Sequence, residues 1–219
     1  MQFIKSLDDL LYEIMSWMVF YPLTLWRVLR HPWLMMDYAA SQLKEPAGRQ
    51  YSDALSPPLF LLLTLLLSHA IELTYVGQSS LVASHRGLAS LITDDTSLLL
   101  LRLVVFSIFP LIMAVLLVRR LGRKLTRDAL QGPFYSQCYL TGPFALLLGV
   151  GGILFQLLAG HARLAGAACM VGALLWFGGL QVHWFARELK VSLLRAFLIA
   201  TMGMIACLVA IGLIAPLIV

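Results

Sequence analysis

Glu72 and Arg102 are the two side chains in this sequence whose placement most invites chemistry. Each falls inside a run of apolar residues, where an ionisable group is costly and marks a functional site by default. His69 stands three residues before Glu72, so the two share one side of a helix. Arg102 enters the next apolar run about one turn from the same end. His69, Glu72 and Arg102 therefore make a candidate intramembrane polar cluster, whose geometry allows a Glu72–Arg102 pair. Two readings of it stand. One is a proton- or anion-responsive site at the outer mouth. The other is a structural ion pair, or side chains that reach outward to the interface.

Two further groups carry chemistry. Arg119, Arg120, Arg123, Lys124 and Arg127 crowd five cations into nine residues. Beside a membrane such a run attracts anionic headgroups at about 1 kcal/mol per charge. It equally suits an acidic protein partner, or serves only to orient the chain. Tyr135, Gln137, Tyr139, Gly142 and Pro143 bring polar groups and a helix breaker into the start of the third apolar run. Polar groups at membrane depth need partners. They either line a cavity at a broken helix, as in transporters, or sit at the interface and bridge neighbouring helices. His183, between Gln181 and Trp184, reads as an interfacial histidine, because no second histidine lies at metal-ligand spacing.

Enzyme signatures are missing. The chain holds no HExxH, GxSxG, P-loop or Rossmann glycine pattern. Its acidic residues do not gather within the apolar runs as an oxygen-ligand metal site requires. Cys138, Cys169 and Cys207 lie in or beside apolar runs and read as buried small hydrophobes. The sequence thus assigns no catalytic residue, no metal and no cofactor.

These residues need elements to hold them, and composition says which kind. Of 219 residues, 60% are hydrophobic and 12% charged, against about 45–50% and 25% in soluble domains. So little charge cannot cover a water-facing surface, and the chain is too apolar to be disordered. A span needs about 20 mostly apolar residues to cross a core of about 30 Å. Five runs qualify, at 57–75, 97–118, 138–159, 164–185 and 196–219. The second tolerates Arg102. Sixteen of its 22 residues are Leu, Ile, Val or Phe, each favouring insertion by about 0.3–0.6 kcal/mol against a cost of about 2.5–3.5 for one arginine. Ser56-Pro57-Pro58 opens the first run with a good N-cap and with proline at the first helical position.

The basic residues set a topology. Thirteen Lys and Arg fall before the first run and in the second and fourth loops; only Arg86 and Arg163 fall in the other two loops. The positive-inside rule then places the N-terminus in the cytoplasm and the C-terminus outside. The net charge of +5 is explained by this distribution, and no nucleic-acid partner is expected.

Residues 1–56 read as a cytoplasmic interfacial segment, with 57–219 as the transmembrane domain. Phe3, Ile4, Leu7, Leu10, Leu11, Ile14, Met15 and Met18 recur at helical spacing around Lys5, Asp8, Asp9 and Glu13. That pattern predicts an amphipathic helix on the membrane surface, ended by Tyr21-Pro22. Asp8, Asp9 and Glu13 also argue against a signal peptide. A second helical stretch carries Trp26, Arg27, Arg30 and Trp33, broken near His31-Pro32. Glycines concentrate in spans three to five, which predicts that these three form a tight bundle. Pro110 should kink the second span and Gly142-Pro143 distort the start of the third.

Taken together, Leu29-Arg30-His31-Pro32-Trp33, Ser56-Pro57, Leu121-Gly122-Arg123-Lys124 with Ala129, and Tyr139 with Gly142-Pro143 resemble the Yip-domain (Ypt-interacting-protein-like) membrane family over roughly residues 22–215. The resemblance implies an all-helical, non-catalytic five-span protein. Eukaryotic members are linked to Golgi and endoplasmic-reticulum trafficking and to small GTPases; bacterial ones are described as permease-like. The expectation is a bacterial inner-membrane scaffold or adaptor. Its partners would be the bilayer, anionic lipids, another membrane protein or a second copy. The alternative is a small permease or lipid-handling transporter in which Glu72, Arg102 and Tyr139 touch the cargo. A lipid-metabolism enzyme is the least supported reading.

Overall fold

The computed structural model describes residues 2–46, 48–77 and 95–218, and every regular element among them is helical. The helices are α1 (Gln2–Arg30), α2 (Pro32–Gln42), α3 (Pro57–Tyr75), α4 (Asp95–Arg120), α5 (Arg127–Leu157), α6 (Arg163–Leu189) and α7 (Leu193–Ile218). A single 3-10 turn, Gly160–Ala162, links α5 to α6. Arg86 and the rest of the first loop lie outside the described residues, as do the side chains of Phe3, Ile4, Leu7 and Leu10.

Helices α3 to α7 are each long and apolar enough to cross a membrane, so the chain is an all-helical integral membrane protein. The surface agrees. Leu164, Val171, Leu175, Leu194, Leu208 and Leu213 are exposed along α6 and α7, an apolar face too extensive for water.

The centre of the bundle is α5, not a cluster of spans three to five. It packs against α3, α4 and α6, while α7 rests on α6 and α4. The buried share makes the same point, at 56% of the α5 span and 22–33% of the other four. Glycine explains part of the arrangement. A Cβ on Gly142 would lie 2.7 Å from the Phe60 ring of α3, and one on Gly166 of α6 would lie 2.4 Å from the Phe155 backbone nitrogen of α5. Those helices approach at the distance of bare backbone. Gly172, Gly178, Gly179 and Gly212 face open space instead. An aromatic wedge fills the middle. Phe144 of α5 stacks on Phe177 of α6 at 4.3 Å, and Phe109 of α4 meets both edge-on.

Three local expectations are corrected. First, α1 does not end at Tyr21-Pro22 but runs through Pro22 to Arg30. Pro22 deletes one hydrogen bond, to the Met18 carbonyl. Trp17, Phe20 and Tyr21 before it, and Leu25 and Val28 after it, pack into one cluster with Leu55 and Phe60 and hold both halves in line. The break comes at His31, and Pro32 opens α2 as expected. Second, α5 begins at Arg127, eleven residues before the apolar run, capped by the Thr126 hydroxyl accepting from the Ala129 N–H at 3.2 Å. At about 1.5 Å per residue its 31 residues measure about 46 Å, so its first turns stand clear of a core of about 30 Å. Third, Ser56 holds the N-cap position of α3 but its side chain makes no capping bond. Pro57 and Pro58 leave its first turn short of N–H donors.

The N-terminal helices dock on the bundle. Thr24 donates to the Phe20 carbonyl and accepts from the Leu55 N–H at 3.1 Å. Arg187 of α6 grips Asp37 of α2 through both Nη atoms, at 3.0 and 2.6 Å.

Candidate functional site

The bundle offers two separate places for chemistry, one at each end, and α5 carries a buried polar seam. The seam decides what the third-span residues do. From Ser136 to Ala145 every residue of α5 is buried. Each polar group in that stretch is bonded to a neighbour. Ser136 donates to the Met36 carbonyl of α2 at 2.8 Å, and the Tyr139 hydroxyl donates to the Leu55 carbonyl at 2.6 Å. Thr141 donates to the Gln137 carbonyl. Gln137 and Gln181 exchange amide hydrogen bonds at 3.0 and 2.6 Å, both wholly buried. Tyr135, next along, is half-buried against the Tyr51 ring.

Of the two readings of this stretch, the hydrogen bonds match bridging between neighbouring helices, not a cavity at a broken helix. The helix is continuous through Pro133 and Pro143, and Gln137, Tyr139, Gly142 and Pro143 are packing and bridging residues. Tyr139 is also excluded from a shared site with Glu72. It contacts Phe60 at the start of α3, and Glu72 lies twelve residues further along that helix, about 18 Å away. Reciprocity between Gln137 and Gln181 was not legible in the sequence. The signal was only that each is a glutamine inside an apolar run.

At one end of the bundle, Glu72 and Arg102 form the ion pair that their spacing allows, Arg102 Nη2 donating to Glu72 Oε2. Their side chains are 18% and 22% exposed, which leaves them reachable. They open onto a cavity of about 290 Å³ between α3, α4 and α5. Its α3 wall is the stripe Leu65, Ser68 and Glu72; Phe106 stands on α4, and Gly149, Gly152 and Gln156 on α5. His69 is buried one residue off that stripe and does not line the cavity. The cluster is thus a pair beside a cavity, with His69 packed into α3's buried side.

At the opposite end the five basic residues separate. Arg120 and Arg195 flank a cleft of about 690 Å³ between the ends of α4, α6 and α7. Arg119 borders an adjoining groove of about 300 Å³ between α4 and α7, whose walls are Leu111, Ile112, Val115, Leu116, Gly203 and Ala206. Met202 lines both, so cleft and groove meet. Arg123 turns to a third hollow facing α2, near Asp37 and Arg187. Lys124 and Arg127 are exposed.

Sequence reasoning missed a charged knot beside the same end. Asp53 takes hydrogen bonds from the Tyr38 hydroxyl and from Arg27 Nη1, the latter at 3.1 Å. The Tyr38 bond first, then Arg27, hold the Asp53 carboxyl below its usual range. Burial and that carboxylate push the Tyr38 hydroxyl up. Nothing in the sequence paired Arg27 with a residue 26 positions away.

No family model, no curated protein and no solved structure matches the chain.

Proposed function

We propose that this protein is a non-catalytic membrane scaffold that holds an anionic phospholipid at its basic end, in the inner membrane of a bacterium with that end cytoplasmic. The observation that carries this reading is the continuity of the Arg120–Arg195 cleft with the apolar α4–α7 groove through Met202. A phospholipid has that same division. Its phosphate suits two guanidinium forks, and an acyl chain suits a trough of Leu, Ile and Val. Thirteen of the sixteen Lys and Arg supporting the orientation lie on the cleft's side in the sequence's loop pattern, and the cytoplasmic leaflet is the one that presents anionic headgroups. The Yip-domain likeness of Leu29–Trp33 and Gly142-Pro143 agrees with a helical protein that works by binding rather than by catalysis.

The test uses the full chain in nanodiscs containing phosphatidylglycerol and phosphatidylcholine. Native mass spectrometry should find phosphatidylglycerol retained in preference. Arg120→Gln with Arg195→Gln should abolish that preference, while Lys124→Gln with Arg127→Gln should leave it. Equal retention of the two lipids by the unaltered protein defeats the proposal.

A further inference from the structure

We infer that the cavity beside Glu72 and Arg102 is a second, chemically different site, and that it receives a zwitterion of the phosphoethanolamine type. It stands apart from the basic cleft. Arg102 and Arg120 are eighteen residues apart on α4, about 27 Å along the axis, close to the thickness of a hydrocarbon core. The cavity therefore lies near headgroup depth of the other leaflet.

The chemistry follows from what the ion pair leaves unused. Among the described residues, Arg102 reaches Glu72 through Nη2 alone and Glu72 answers with one oxygen. Toward the described residues, the second carboxylate oxygen and the remaining guanidinium N–H groups stay open to a ligand. A lone anion would suit Arg102 but be repelled by Glu72, and a lone cation the reverse. A molecule carrying both charges satisfies each partner and keeps the site neutral in a medium where net charge is costly. A primary ammonium donates hydrogen bonds to a carboxylate, which a trimethylammonium cannot do. Ser68 and Gln156 add polar atoms, and Leu65 and Phe106 supply apolar wall. At about 30 Å³ per water, a volume of about 290 Å³ holds about ten non-hydrogen atoms, enough for the phosphoethanolamine group.

Glycine keeps the space open. A Cβ on Gly149 would lie 2.3 Å from the Ser68 hydroxyl, whereas a Cβ on Gly152 would meet nothing within 4 Å. Gly152 lines the cavity and its Cβ position is free, so Gly152→Leu places apolar bulk in that space while leaving both charged residues in the sequence.

The experiment is native mass spectrometry of the full chain from nanodiscs holding equal amounts of phosphatidylethanolamine, phosphatidylcholine and phosphatidylglycerol. Water-soluble glycerophosphoethanolamine is then added as competitor. Arg120→Gln with Arg195→Gln is introduced throughout, so that failure of the basic-end lipid site cannot be mistaken for failure here. Phosphatidylethanolamine should be retained over phosphatidylcholine by on the order of tenfold, as the loss of one charge-assisted hydrogen bond gives. Gly152→Leu should erase that preference, and Glu72→Gln should do the same. If the competitor leaves the lipid in place, the source is the bilayer. If it displaces the lipid, a soluble zwitterion of the same chemistry occupies the site. No preference among the three lipids, or a preference that survives Gly152→Leu, overturns the inference.

Discussion

Replacing Gln181 by leucine tests the buried seam most directly. Gln137 and Gln181 exchange two hydrogen bonds, at 3.0 and 2.6 Å, in a place no water reaches. Hydrogen bonds between membrane helices average about 0.6 kcal/mol and reach about 1.7, so the two together contribute about 1–3 kcal/mol. The larger effect is what remains. Gln181→Leu leaves the Gln137 amide buried with its partner gone, and an orphaned polar group costs about 1–3 kcal/mol. The single change should therefore destabilise the α5–α6 contact by about 2–6 kcal/mol. The double change, Gln137→Leu with Gln181→Leu, removes both amides and substitutes side chains of similar size, so it should lie within about 1 kcal/mol of the original. The assay is a reversible detergent-denaturant titration in mixed micelles, followed by tryptophan fluorescence; Trp184 is buried one turn from Gln181. A double variant as unstable as the sum of its singles would refute the argument, because it would show that the two amides do not act as a pair.

Three more outcomes are expected. Arg102→Leu alone should destabilise the protein more than Arg102→Leu with Glu72→Leu, with a coupling of at least about 0.5 kcal/mol in the same titration; equal losses would show that the pair is not coupled. Gly166→Ala, whose Cβ would meet the Phe155 backbone at 2.4 Å, should cost more than Gly142→Ala, whose Cβ would meet a movable ring at 2.7 Å. Gly172→Ala, facing open space, should be neutral or stabilising by up to about 1 kcal/mol, and the reverse order would contradict the packing described. Asp53 has a folded-state pKa below its ordinary 3.8, so its contribution is present above that value and fades as pH falls through the lowered one. Hydrogen-exchange protection in α1 and α2, taken relative to the intrinsic exchange rate at each pH, should accordingly fall on acidification below about pH 4. Asp53→Asn should show the lower protection already at neutral pH; identical profiles for the two would remove Asp53 from the docking.

Elements and membrane class were legible in the residues because both depend on local composition. An apolar run of about 20 residues must become a helix in lipid whatever surrounds it, and the five runs did so. The partnership of Glu72 and Arg102 was also within reach, since helical spacing placed both near one end of neighbouring spans. Where helices begin and end was less legible. Hydropathy measures the stretch that lipid accepts, whereas α5 extends beyond it on a Thr126 cap, and α1 passes Pro22 because packing outweighs one lost hydrogen bond. Roles were decided later still. Nothing local distinguishes a glutamine that lines a path from one that bridges helices; Gln137 became a bridge only when α6 brought Gln181 opposite it. The same holds for the basic run, whose crowded arginines separated once α7 supplied Arg195 and Met202 as walls. Residue types and their periods set which segments enter the membrane. Which helix becomes the centre depends on close approaches between surfaces far apart in sequence, and those exist only in the packed bundle.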